Sequence, residues 1–264
     1  VSGSGAPDAR PLAGRTVVVT RARAQAGDFI AALEEMGAEV VAVPLIRILP
    51  AADQGPLRDA ARCAATFDWI VFTSANGVDR FFAALAEDGR DARALAAARI
   101  AAIGPATAAE LAKHAVVPDL IPGEHVGEAA AEALVAAGVA GKRILLPRAE
   151  VAGAVLPDAL RARGADVVEA AAYRTLPDGE GAAELRRRLE AGEIDWVTFT
   201  SSSTARYFAE LVGTEVGRAR VASIGPVTSR MAREMGMRVD VEAAEYTIPG
   251  LLAALRAFHT EAAR

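Results

Sequence analysis

A chain of 264 residues, 52% hydrophobic and carrying a net charge of −5, is long enough to bury one large core or two moderate ones without covalent staples. Its single cysteine, Cys63, excludes an intramolecular disulfide and reads as a small core residue in the alanine-rich run Ala60 to Ala65. Well-mixed charges and only 5% aromatic residues exclude a nucleic-acid surface, and the lack of a long uncharged apolar run or a signal-like start predicts a soluble, cytoplasmic protein with no membrane contact.

In chain order, residues 1–11 read as a disordered tail rich in Gly, Ser and Pro. A buried parallel strand is expected from Val17 to Thr20, then a helix over Phe29 to Met36 stopped by Gly37. Val40 to Ile48 reads as one long strand, exceeding the usual length of about 5–6 residues and leading into a polar stretch. Further buried strands are expected at Trp69–Thr73, Ile100–Ile103 and Ile144–Pro147, and a helix over Val155 to Arg163 ends at Gly164. A second long strand covers Val167 to Thr175, followed by strands at Trp196–Thr200 and Val221–Ile224.

The chain repeats itself. At an offset of 127, ten of the 34 pairs from Gly14 to Arg47 are identical, and Asp68-Trp69 and Phe72-Thr73-Ser74 fall on Asp195-Trp196 and Phe199-Thr200-Ser201. After a six-residue gap, an offset of 121 carries Ile103-Gly104-Pro105 onto Ile224-Gly225-Pro226, and Asp119 onto Asp240. Alternating strands and helices with right-handed crossovers predict an α/β fold of two Rossmann-like parallel-sheet domains. The two long strands read as a two-strand linker, so that 12–43 plus 176–264 form one discontinuous domain, 49–170 the other, and 44–48 and 171–175 the crossings. Two sequential lobes are the alternative.

Ligands of open parallel sheets bind beyond the carboxyl ends of the strands, where helix N-termini present free N–H groups. The tips found there are Thr20-Arg21 and Pro147-Arg148, Ser74-Ala75-Asn76 and Ser201-Ser202-Ser203, and Gly104 to Thr107 and Gly225 to Thr228. Each alone is a good helix cap; six together point to a cleft for an anionic small molecule, with Arg21 and Arg148 able to grip carboxylates. No Gly-x-Gly-x-x-Gly or Gly-x-Ser-x-Gly motif is present, and Gly138 to Lys142 resembles a phosphate loop but leads into a strand. The dispersed His114, His125 and His259 lack metal spacing, which leaves a reaction without metal or cofactor that depends on positioning.

At these residues the chain resembles the uroporphyrinogen-III synthase family, from about Leu12 to Phe258. The marks are Val18-Val19-Thr20-Arg21, Phe72 to Gly77, Ala102 to Thr107, Leu146-Pro147-Arg148, Tyr173-Arg174-Thr175, Phe199 to Ser203 and Ala222 to Thr228, weak singly but specific in this order. The resemblance implies a bilobal, twice-crossing fold and a lyase of porphyrin and heme biosynthesis. Such an enzyme closes hydroxymethylbilane to uroporphyrinogen III with its fourth ring inverted and water lost. It further implies a monomer, a tetrapyrrole substrate bearing eight carboxylates, and a transient contact with the upstream bilane-forming enzyme. Tyr173 matches the family tyrosine that assists departure of the hydroxyl. Thr20, Arg21, Ser74, Asn76, Gly104, Thr107, Arg148, Ser201, Ser203, Gly225 and Thr228 take substrate-binding positions. A non-catalytic two-lobed anion or tetrapyrrole binder, or a sensor on the same fold, is the other reading; it would not need Tyr173.

Overall fold

The computed structural model describes residues 10–123 and 127–262. The elements run β1 (Thr16–Val19), α1 (Arg23–Glu35), β2 (Glu39–Ala42), β3 (Ile46–Pro50), α2 (Gly55–Arg62), β4 (Trp69–Phe72), α3 (Ala75–Glu87), β5 (Arg99–Ala102), α4 (Pro105–Lys113) and α5 (Gly127–Ala136). They continue with β6 (Arg143–Ala149), α6 (Val155–Ala162), β7 (Asp166–Pro177), α7 (Ala182–Glu190), β8 (Trp196–Phe199), α8 (Ser202–Leu211), β9 (Arg220–Ser223), α9 (Pro226–Glu234), β10 (Val241–Glu242) and α10 (Ile248–Ala262). Two compact units result: one takes the chain up to Arg47 and from Thr175 onward, the other is Ile48–Arg174.

The first unit is built on a five-stranded sheet in the order β10-β9-β8-β1-β2, parallel throughout. The second has the order β3-β7-β6-β4-β5, parallel from β7 to β5. The repeat is visible in the registers. Val17 lies opposite Trp196 in one sheet and Ile144 opposite Trp69 in the other; Ala222 faces Val241 as Ala101 faces Leu120. Each sheet therefore combines strands from both half-chains.

Alternation along the strands feeds cores on both faces. In the second unit Ile70 and Phe72 pack under α2 and α3, while Trp69 and Val71 turn to the face covered by α5 and α6. In the first unit Val17, Val19 and Trp196 meet Phe29, Leu33, Leu251 and Leu255 of α1 and α10. Each large side chain buried in this way contributes about 1.5–3 kcal/mol. Both tryptophans also lie under an equivalent arginine, Arg99 at 4.2 Å from the Trp69 ring and Arg220 at 5.9 Å from that of Trp196.

Three expectations are corrected. Val40 to Ile48 is not one strand: β2 ends at Ala42 and β3 begins at Ile46, in the other sheet. Pro44 has no N–H to donate, whereas its neighbours Val43 and Leu45 donate to Val19 and Thr20 and trail along β1 before the chain leaves. Only the second long segment is continuous, as the twelve-residue β7. Cys63 is half-buried at the end of α2, where its thiol donates to the Asp59 carbonyl at 2.8 Å. Of the tail expected at 1–11, residues 1–9 lie outside the described residues, and Arg10 already accepts a turn hydrogen bond from the Ala13 N–H. His125 also lies outside the described residues.

Candidate active site

In the first unit the carboxyl edge of the sheet is made by the chain after β1, β8, β9 and β10. Ser201 caps α8 in a reciprocal box with Thr204, whose N–H and hydroxyl both meet it at 3.3 Å. Ser203 follows in the first turn, half-buried. Gly225 caps α9, with Pro226 at the first helical position and Thr228 buried two residues on. A Cβ on Gly225 would come within 2.8 Å of the Tyr246 ring, so glycine is needed here for close approach. Arg21 leaves β1 with its Nε buried and unpartnered among the described residues, and burial holds its guanidinium below its ordinary pKa. A desolvated cation of this kind gains most from an arriving carboxylate.

The second unit repeats the pattern after β4 and β5. Ser74, in extended conformation, caps α3 by accepting the Gly77 N–H at 3.1 Å, and Asn76 lies half-buried beside it. Gly104, at φ +97°, caps α4 ahead of Pro105, and the buried Thr107 donates to the Ile103 carbonyl at 3.1 Å. Gly77 has its own packing reason: a Cβ there would lie 2.7 Å from the Pro147 carbonyl oxygen at the end of β6.

Tyr173 is delivered by an irregularity in β7. The pairing with β6 runs Arg148 to Ala171, then Ala149 to Tyr173, so Ala172 is an extra residue. Strict alternation would turn Tyr173 away from Ala170 and Ala172; the bulge brings all three into the core beneath α3. There the phenol, 9% exposed, donates to Ser74 Oγ at 3.1 Å. The adjacent Arg174 also carries a buried, unpartnered Nε.

Three of the expected ligand-binding residues commit their side chains to protein partners instead, Thr107 through its bond to Ile103. Thr20 is fully buried and donates to the Thr198 carbonyl at 2.8 Å, while Thr198 donates back to Val18, which ties β1 to β8. Arg148 donates to Glu169 at 2.9 Å and to the Gly153 carbonyl, so its charge is already answered. Thr198 and Glu169 sit on neighbouring strands outside the tip motifs, so the bonds of Thr20 and Arg148 to them do not follow from the local sequence. Conversely, Tyr246 carries no sequence signal, because the two-residue β10 is too short to register as a strand.

Among the described residues no group of three or more His, Cys, Asp or Glu is arranged to hold a metal. The edges offer hydroxyls, helix N-termini, one desolvated guanidinium and a buried phenol.

The family model of uroporphyrinogen-III synthase HemD matches residues 27–253. A uroporphyrinogen-III synthase of Synechococcus elongatus is 37% identical over 93% of this chain and 96% of its own length, and one of Chlorobaculum parvum 31% over 86% and 92%. The fold is that of a mutant uroporphyrinogen III synthase from Thermus thermophilus, at TM-score 0.68 and 23% identity, covering 95% of this chain and all of that one. A match spanning most of the chain and carrying the same two-sheet fold leaves one conclusion: the chain belongs to the uroporphyrinogen-III synthase family.

Proposed function

We propose that the chain cyclises hydroxymethylbilane to uroporphyrinogen III, with inversion of the fourth pyrrole ring and net loss of one water. The observation that carries the catalytic assignment is the Tyr173–Ser74 pair at the head of α3, a nearly buried phenol held at 3.1 Å from a helix-capping hydroxyl. Ser74 Oγ accepts from both Tyr173 and the Gly77 N–H, so its own hydrogen is free to turn toward a ligand oxygen.

In this reading a proton from the Tyr173–Ser74 pair reaches the departing hydroxyl as its C–O bond breaks, and the electron pair leaves with water. The pyrrole nitrogen supplies electrons to the carbon left behind, giving an azafulvenium cation that keeps its N–H proton. The substituted carbon of the last ring attacks it, the resulting spiro intermediate fragments, and the ring recloses the other way round. The last ring carbon then gives up a proton, restoring the acid.

The carboxylates of the substrate are held by Arg21, by the hydroxyls of Ser201, Ser203 and Thr228, and by Ser74 and Asn76, with backbone N–H groups in the first turns of α4 and α9, after Gly104 and Gly225. Because the free bilane closes unaided to the uninverted isomer, the protein must fold the chain so that the direct closure is blocked.

The test generates hydroxymethylbilane in situ, oxidises the products and separates type I from type III uroporphyrin. Predominantly type III is expected from the wild-type protein. Tyr173→Phe should reduce kcat by about 10²- to 10⁴-fold if the phenol is the acid. Type I alone at the background rate, from folded protein, would sink the synthase reading and leave a binder.

A further inference from the structure

Two exposed apolar side chains stand on the carboxyl edge of the first unit. Tyr246, after β10, is 42% exposed although its ring packs on Gly225, and Val227, in the first turn of α9, is 50% exposed. Both flank the same Gly225-Pro226 turn.

The repeat supplies an internal comparison. Gly225-Pro226-Val227-Thr228 corresponds to Gly104-Pro105-Ala106-Thr107, so the glycine, proline and threonine recur while Val227 meets only the smaller Ala106; the counterpart of Tyr246, His125, lies outside the described residues. In the second unit exposed apolar side chains at the carboxyl edge include Val151 and Val155, after β6, and Ile121, after Leu120; their counterparts in the repeat are Ala24, Asp28 and Glu242. The polar framework is thus shared by the two units and the apolar decoration is not, as suits a ligand whose ends differ.

We propose that Tyr246 and Val227 form an apolar seat for one pyrrole ring of the bilane, which sets the register of the chain while the neighbouring hydroxyls hold its carboxylates. The proposal rests on the synthase reading and names positioning residues for that same site. A pyrrole is planar and electron-rich, and a tyrosine ring accepts it stacked or edge-on while Val227 closes the side. Gly225 belongs to the seat because any larger residue would push the tyrosine ring away. Carboxylate contacts alone would let the flexible bilane slide from one donor to the next.

The test compares wild type, Tyr246→Ala, Tyr246→Phe, Val227→Ser and Val117→Ser. Val117, 86% exposed beyond the far end of α4, controls for loss of any surface apolar group. KM for the bilane should rise about three- to tenfold in Tyr246→Ala, return toward wild type in Tyr246→Phe, rise in Val227→Ser and stay unchanged in Val117→Ser, with thermal midpoints held in Val227→Ser. Calorimetric titration with reduced uroporphyrinogen III separates this seat from the synthase reading, since binding does not require turnover. Weaker binding by Tyr246→Ala and Val227→Ser supports the seat even if wild type makes only type I product. Wild-type KM and wild-type binding in both variants overturn it, even if type III is formed. A loss shared equally by Tyr246→Ala and Tyr246→Phe, with lowered thermal midpoints and an unaffected Val227→Ser, also overturns it and assigns Tyr246 a structural role.

Discussion

The Trp196 indole donates to His259 Nε2 at 2.9 Å, a bond that needs the imidazole nitrogen unprotonated. Burial first, then the charges of Arg15 and Arg220, push the His259 pKa down, with Asp195 opposing. The folded-state value lies below the unfolded one, so the unfolded chain binds the extra proton. The stabilisation is therefore full above the unfolded value of about 6.5 and is lost as pH falls through the folded value. His259→Gln should flatten the part of the decline that sets in below about pH 6.5, read as urea midpoints; an unchanged pH profile would remove His259 from the account. At this scale the sequence is only partly informative. Gly225 and Ser201 are legible because a tip motif and a cap are local patterns. Thr20 is not, because its bond to the Thr198 carbonyl depends on a strand 178 residues away.

Short strands are held at their amino ends by aspartates used twice. Asp68 accepts the Arg143 N–H at 2.8 Å and Asp195 that of Thr16 at 3.0 Å, the same contact at the 127-residue offset. Asp119 accepts from Ile100 at 2.7 Å and Asp240 from Val221 at 2.9 Å, the same contact at the offset of 121. Each carboxylate joins neighbouring segments of one sheet, on the edge opposite the hydroxyl-bearing tips. Removing one leaves a strand-end N–H without its partner. Asp119→Ala and Asp240→Ala should each cost about 1–3 kcal/mol in urea unfolding while leaving KM unchanged; a KM effect in the folded variants would contradict this division of labour between the edges. The matching of Asp119 to Asp240 is evident in the sequence, but its purpose is not, since the accepting geometry exists only once the strands are side by side. Likewise the alternation of β7 suggests a plain strand, and the extra residue at Ala172 that turns Tyr173 toward Ser74 shows only in the register.

Each unit contains one fully buried tryptophan, Trp69 in the second and Trp196 in the first, and these are the only two in the chain. Trp196→Phe and Trp69→Phe variants would thus report the two units separately. Two separate cores predict distinct urea midpoints by fluorescence in the two variants; one shared midpoint, also matching circular dichroism, would mean that the cores melt as one. The parallel sheets and the duplication are legible because buried strands write continuous apolar runs and the copies keep their spacing. The break at Val43 to Leu45 is less so, since Pro44 marks an interruption without saying that the next strand joins another sheet. That arrangement has a consequence for the chain as it is made. The second unit is contiguous and can close as soon as Arg174 has emerged, whereas Val18 of β1 must await Thr198 of β8, 180 residues later. At ribosomal speeds of about 5–20 residues per second the wait is on the order of 10 to 40 seconds. Throughout it β1 exposes one unpaired edge, and only for the last part of the wait, once Arg174 has emerged, can the second unit already be closed.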